Sequence, residues 1–230
     1  MIRRRRSPPL ETTGQRRTPL RRYRISGASI KTMSKIEEAV EALRSGGFVA
    51  LEDHPERENE ADVLLAGELA TGESVNWLAV HARGLITVAV APEILERLDI
   101  PLLPQRYVVQ NAPRFTEPVD AVEGTTTGAS TFDRAITLNK LADPDSRPED
   151  FSRPGHVFPL QCMPGCLLDR QGHTEGAIAL AQLAGLQPVV AICELMNEEG
   201  HMARGRQVVE FADRHEMPRI SVQALVERVC

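Results

Sequence analysis

Val189-Val190-Ala191-Ile192-Cys193-Glu194-Leu195 is the most apolar strand-like run in the chain. Runs of this kind are buried on both faces, as in parallel sheets, so layers of helix must lie above and below. Glu194 near its C-terminal end is costly there unless it is paired or functional. Downstream, Asn197-Glu198-Glu199-Gly200 turns the chain into a helix over 203–215, then a short strand over 218–222 and a closing helix over 224–229. Upstream, Thr174 is placed as the N-cap of a helix through Ala184 that Gly185 stops. Arg170, free N–H groups and the positive helix end then converge on one spot, a plausible seat for a phosphate. His173 stands beside it, either a metal ligand or a turn residue.

Nearer the start, Ser34 and Glu37 form a capping box, followed by a helical stripe of Ile36, Ala39, Val40 and Leu43. Gly46-Gly47 ends that helix, and Phe48-Val49-Ala50-Leu51 reads as a buried strand. A second strand runs over 63–67, a helix over 73–83, a strand over 85–91 and a short helix over 92–98. The hydroxyl-rich loop Gly124-Thr125-Thr126-Thr127-Gly128-Ala129-Ser130 precedes a helix from Asp133 to Leu141; it suits a phosphate-binding turn or an ordinary one. Residues 143–154 read as loop, and Pro154-Gly155 puts His156 on a turn before Val157-Phe158-Pro159-Leu160. Helices and strands alternate without repeats. The fold expected is α/β (α+β), a single domain with a mixed β-sheet covered by helices on both faces. Ligand sites in such folds lie at the carboxyl ends of strands.

Between the first two strands lies Glu52-Asp53-His54-Pro55-Glu56-Arg57-Glu58-Asn59-Glu60-Ala61-Asp62, six carboxylates in eleven residues. In extended chain Glu58, Glu60 and Asp62 face one side. Carboxylates so close repel unless a cation sits between them or water surrounds them. An EF-hand is excluded, because its Gly and its ligand spacing are missing. Arg57 adds a fork suited to carboxylate or phosphate.

Composition narrows the function further. With 42% apolar residues among 230, the chain can bury a full core. Four Cys do not make a disulfide framework at this length, and Cys162 and Cys166 lack the spacing and the His of a zinc site. A reducing cytoplasm fits. No apolar run approaches the roughly 18 residues that span a bilayer. Residues 1–32 hold nine Arg and one Lys against Glu11 alone, whereas 33–230 hold 17 basic and 31 acidic residues, a net charge of −14. The first 32 residues are expected to be a disordered Arg-rich extension, and 33–230 the folded body. So acidic a body argues against nucleic acid as its ligand.

Several motifs occur in one order: Asp53-x3-Arg57-Glu58-Asn59-Glu60-Ala61-Asp62, Thr126-Thr127-Gly128, Asp133-Arg134, Arg153-Pro154-Gly155-His156-Val157-Phe158-Pro159-Leu160, Gly172-His173-Thr174-Glu175, Leu183-Ala184-Gly185-Leu186 and Ile192-Cys193-Glu194. Together they resemble the 3,4-dihydroxy-2-butanone 4-phosphate synthase family of riboflavin biosynthesis, over about 34–229. The resemblance implies a lyase that converts D-ribulose 5-phosphate to 3,4-dihydroxy-2-butanone 4-phosphate and formate with Mg²⁺ (or Mn²⁺), as a homodimer with sites at the interface. It implies Glu58 and His173 as metal ligands and His156 and Glu194 as essential catalytic groups. Substrate binding would fall to Arg57, Glu58, Asp62, Glu194 and the loop Arg170, Gln171, Gly172, His173 and Thr174.

The chemistry suits these residue types. A proton beside a ketone is too weakly acidic to remove unaided, and Mg²⁺ on the substrate oxygens would stabilise the enediolate as a Lewis acid. Dehydration, carbon migration and formate release each need a group that gives or takes a proton. The chain departs from the family at Thr87, where many members carry Cys, at Glu117-Pro118, where a strand is expected, and at Ala129-Ser130-Thr131-Phe132. These departures leave open a paralogue acting on another sugar phosphate. A non-catalytic binding protein is the remaining alternative.

Overall fold

A computed structural model describes residues 34–105 and 112–229. The expected extension over 1–32 lies outside the described residues. Among the described residues seven strands, β1 (Val49–Glu52), β2 (Ala61–Ala66), β3 (Thr87–Val90), β4 (Val119–Ala121), β5 (Phe151–Gln161), β6 (Val189–Glu194) and β7 (Arg219–Ser221), form one sheet in the order β4-β5-β3-β6-β2-β1-β7. The helices are α1 (Lys35–Arg44), α2 (Gly72–His81), α3 (Pro92–Arg97), α4 (Thr131–Ala142), α5 (His173–Ala184), α6 (Arg206–Arg214) and α7 (Val222–Val229).

The run 189–195 is central and buried on both faces, as its composition requires, yet β6 is antiparallel to both β2 and β3. Burial, not strand direction, is what an unbroken apolar run reports. The sheet is mixed, with parallel pairs at β3–β5 and β1–β7. Along β6, Val189, Ala191 and Cys193 join one core, with Val75 and Leu78 of α2, Ile94 of α3, Leu138 of α4 and Val208 of α6. Val190 and Ile192 join the other, with Leu43 of α1, Ile178 and Leu180 of α5 and Leu225 of α7. Side chains that alternate along a strand thus demand both helical layers. Among the described residues no helix is long and apolar enough to cross a membrane.

Local signals set most element ends. Ser34 and Glu37 make the expected capping box of α1, and Gly185 stops α5 at φ +68. Two expectations are corrected. The N-cap of α5 is Gly172, not Thr174, so His173 becomes the first helical residue. His156 is not on a turn: it lies within β5, an 11-residue strand that passes through Pro154 and Gly155. The β4–β5 register shifts between Val119 and Asp120, with Val119 opposite Val157 and Asp120 opposite Ser152. Pro154 occupies that irregular stretch beside an edge strand, where a missing N–H is tolerated. Glu117 and Pro118 shorten the edge strand without abolishing it: β4 begins at Val119, and the Pro118 carbonyl accepts the Gly155 N–H at 2.9 Å.

Candidate active site

The carboxyl end of β6, the start of β2 and the N-terminus of α5 meet in one place. Asp62 is the cross-strand neighbour of Glu194. Both side chains point to the face that α5 covers, because they alternate with Val63 and Cys193. They line a cavity of about 180 Å³ together with Arg57, Glu58, Glu60, Thr87, Arg170, His173 and Thr174. A larger cavity of about 460 Å³, beside His81, Phe211 and His215, holds none of these groups.

The acidic loop reaches the cavity by a route that extended-chain reasoning does not supply. It turns, with Asn59 at φ +54, a left-handed conformation that Asn tolerates better than most residues. Asp53 organises it. Its carboxylate accepts the backbone N–H of Glu60 at 2.9 Å and of Glu58 at 3.1 Å, and Arg57 Nη1 at 2.8 Å. Burial works to raise the Asp53 pKa, but the Glu60 N–H, the Arg57 guanidinium and the other partners outweigh it and hold it below the usual value. Arg57 Nη1 also meets Glu58 Oε2 at 2.6 Å. From outside, Arg204 Nε donates to the Asn59 carbonyl at 3.1 Å and Nη2 pairs with Glu60 at 3.3 Å.

His173 Nδ1 is 3.7 Å from Glu58 Oε2 and 3.8 Å from Asp62 Oδ1. Buried polar atoms with no hydrogen-bond partner include His173 Nε2, Asp62 Oδ1 and Glu194 Oε2. Such atoms are uncommon in folded proteins, and three gathered at one cavity call for a water, an ion or a ligand as their partner. Burial, reinforced by Glu194, Glu58 and Glu60 and opposed by His173, raises the Asp62 pKa to about 6. Four carboxylates face two Arg and one His, and Asp53, Glu58 and His173 present ligand atoms within 4.8 Å of one another. That donor set, oxygen-rich with one imidazole, fits a hard divalent cation. All the oxygens of Asp53 that face the loop are engaged by N–H donors, which leaves Glu58 and His173 the better ligands.

Arg170 is braced at 2.6 Å by Glu175 Oε2, and Glu175 Oε1 accepts the Met163 N–H at 3.3 Å. Glu175 is 1% exposed, so Arg170 is held from a buried anchor at the head of α5. Of the residues expected to touch substrate, Arg57, Glu58, Asp62, Arg170, His173, Thr174 and Glu194 line the cavity. Gln171 is exposed and outside the lining, and Gly172 contributes the helix cap. His156 is also outside it: its ring is half exposed and hydrogen-bonded to Asp120. In the loop 124–130 two amides, the Thr126 and Gly128 N–H groups, are taken by the Asp133 carboxylate rather than left for a phosphate. Asp53, Glu60, Thr87 and Glu175 carry no assignment from sequence. Asp53 and Glu175 stand inside the motifs, but their tasks show only once their partners are in place.

A family profile described as 3,4-dihydroxy-2-butanone 4-phosphate synthase matches residues 37–228. The chain is 45% identical over 195 residues to a 3,4-dihydroxy-2-butanone 4-phosphate synthase of Agrobacterium fabrum, covering 85% of this chain and 92% of that one. It is 43% identical to the riboflavin biosynthesis protein RibBA of Aquifex aeolicus over 194 residues, 84% of this chain but only 48% of the relative. A crystal structure of a 3,4-dihydroxy-2-butanone 4-phosphate synthase in complex with two magnesium ions superposes with a TM-score of 0.79 at 37% identity, covering 86% of this chain and 98% of that one.

Proposed function

Because the chain belongs to the 3,4-dihydroxy-2-butanone 4-phosphate synthase family, we propose that the cavity between β2, β6 and α5 is where D-ribulose 5-phosphate becomes 3,4-dihydroxy-2-butanone 4-phosphate and formate. The chain is an enzyme of riboflavin biosynthesis. The observation that carries the site assignment is the set of unpartnered buried atoms, His173 Nε2, Asp62 Oδ1 and Glu194 Oε2, at one acidic cavity.

Glu58 and His173 hold a divalent cation, Mg²⁺ or Mn²⁺. When bound, such an ion supplies Lewis acidity toward the oxygens of the sugar. Arg170, Thr174 and the N-terminus of α5, a 12-residue helix, receive the phosphate; the helix end contributes free N–H groups and partial positive charge. Glu175 keeps Arg170 aimed there. Arg57 orients Glu58 while bound to Asp53. Asp62, a buried carboxylate across the strand pair from Glu194, takes and returns a proton there. Glu194 adds a second carboxylate beside it, with its Oε2 buried. Gly84 makes this packing possible, since a Cβ there would lie 2.6 Å from Glu194 Oε2.

His156 enters the site from a second copy of the chain, and the active form is a homodimer. The reading is supported by a half-exposed imidazole held firmly outside its own cavity, and by Val122 and Phe132, 54% and 58% exposed. Residues 33–230 make up the catalytic domain, and 1–32 an extension outside the family match. The free thiols of Cys162, Cys166 and Cys193 suit the reducing cytoplasm.

The test is formate release from D-ribulose 5-phosphate by the purified full chain, with Mg²⁺, with Mn²⁺ and with EDTA. Equimolar formate and the four-carbon phosphate, abolished by EDTA and by Glu194→Gln, are expected. Absence of formate at every metal concentration would overturn the assignment.

A further inference from the structure

We infer that Asp120 is the positioning residue for His156, fixing both the direction and the tautomer of its imidazole; the inference rests on the reading of His156 as an essential group. Asp120 lies on β4 and His156 on the neighbouring β5. One carboxylate oxygen, Oδ1, accepts the backbone N–H of His156 at 2.7 Å, and the other, Oδ2, meets Nδ1 at 2.7 Å. A carboxylate only accepts, so Nδ1 carries the hydrogen and Nε2 presents its lone pair outward. The Asp120 side chain is 10% exposed while that of His156 is 51% exposed. The pair therefore has a rigid, covered base and a reactive tip in the open.

Three elements are built around this pair. The register shift between Val119 and Asp120 lets one carboxylate reach both the backbone and the ring of the same residue. Bulges of this kind re-aim side chains next to functional sites. At Gly155 a Cβ would collide with the Val119 carbonyl group, and at Gly128, φ +80, with the Asp120 carboxylate. The hydroxyl-rich loop thus has a task other than phosphate binding. Its amides fold it onto Asp133, and its glycine leaves the space that Asp120 occupies. Without Asp120, a half-exposed imidazole would sample several rotamers and both tautomers, and an imidazolium formed at Nε2 would lose its neighbouring negative charge.

Asp120→Asn tests the proposal, because the amide keeps the shape yet can donate to Nδ1 and so favours the opposite tautomer. In the full-length enzyme with Mg²⁺, kcat should fall at least tenfold while KM for ribulose 5-phosphate changes less than twofold. The ¹⁵N chemical shifts of His156 should move from the Nδ1–H toward the Nε2–H pattern. In a His156→Gln background, Asp120→Asn should cost no further activity, as expected of groups acting as a unit. Should Asp120→Asn fail to fold by circular dichroism, Asp120→Ser, whose hydroxyl fixes neither tautomer, is read by its kcat and by its combination with His156→Gln. A kcat within twofold of wild type, or a fall that adds in full to that of His156→Gln without a change of tautomer, overturns the role of Asp120 alone. Full activity in His156→Gln overturns the reading of His156, and the role of Asp120 with it.

Discussion

Replacing Asp62 by Asn should make the metal-free protein more stable while destroying its activity. Asp62 is 4% exposed, its Oδ1 has no hydrogen-bond partner, and its pKa is raised from 3.8 to about 6. About two pKa units correspond to about 3 kcal/mol of penalty for keeping the charge in the fold. The sign follows from the two states. The unfolded chain releases this proton near pH 4 and the folded chain near pH 6, so the cost is absent below pH 4 and complete above pH 6. Asn removes the charge but leaves a buried amide with an unmet partner, which returns about 1 kcal/mol. The net gain is about 2 kcal/mol at pH 7.5, declining toward zero at pH 4. Urea unfolding of both proteins in EDTA, at pH 4.5 and 7.5, measures it, and formate release measures the loss of function. A variant no more stable than wild type at pH 7.5, or equally stabilised at both pH values, would refute the argument that Asp62 is held at a cost.

Two further outcomes follow from the loop and the thiols. Asp53→Ala leaves the Glu58 and Glu60 N–H groups and Arg57 without their shared acceptor; it should cost about 3 kcal/mol in urea and abolish the rise in melting temperature on adding Mg²⁺, whereas an unchanged urea midpoint would show that Asp53 does not anchor the loop. Iodoacetamide at pH 7.5 should label Cys166 before Cys162 and Cys193 in peptide mass spectra: a hydrogen bond from Cys162 holds the Cys166 thiol below its ordinary pKa, whereas burial pushes Cys193 up to about 12 and the contact with Cys166 together with burial raises Cys162. Equal rates at the three sites would refute that ordering.

The sequence alone determined the layers and pointed to many of the side chains that line the candidate cavity. An apolar run such as 189–195 must be covered on both faces whatever its neighbours, and the capping box at Ser34 and the stop at Gly185 act within a few residues. The cavity-lining residues Glu58, Asp62, His173 and Glu194 were legible because buried charge and chemistry-bearing motifs stand out along the chain. What escaped depends on partners far away in sequence. Strand direction in the sheet is set by connections rather than by composition, so β6 came out antiparallel to both neighbours. Pro154 and Gly155 are turn formers locally, and only the edge strand β4 with its register shift turns them into part of β5. The loop 124–130 has the composition of a phosphate cradle, but two of its amides turn inward onto Asp133. The place of His156 beside Asp120, 36 residues away, was likewise settled by the tertiary structure, because a hydrogen bond between two strands is invisible to any local pattern.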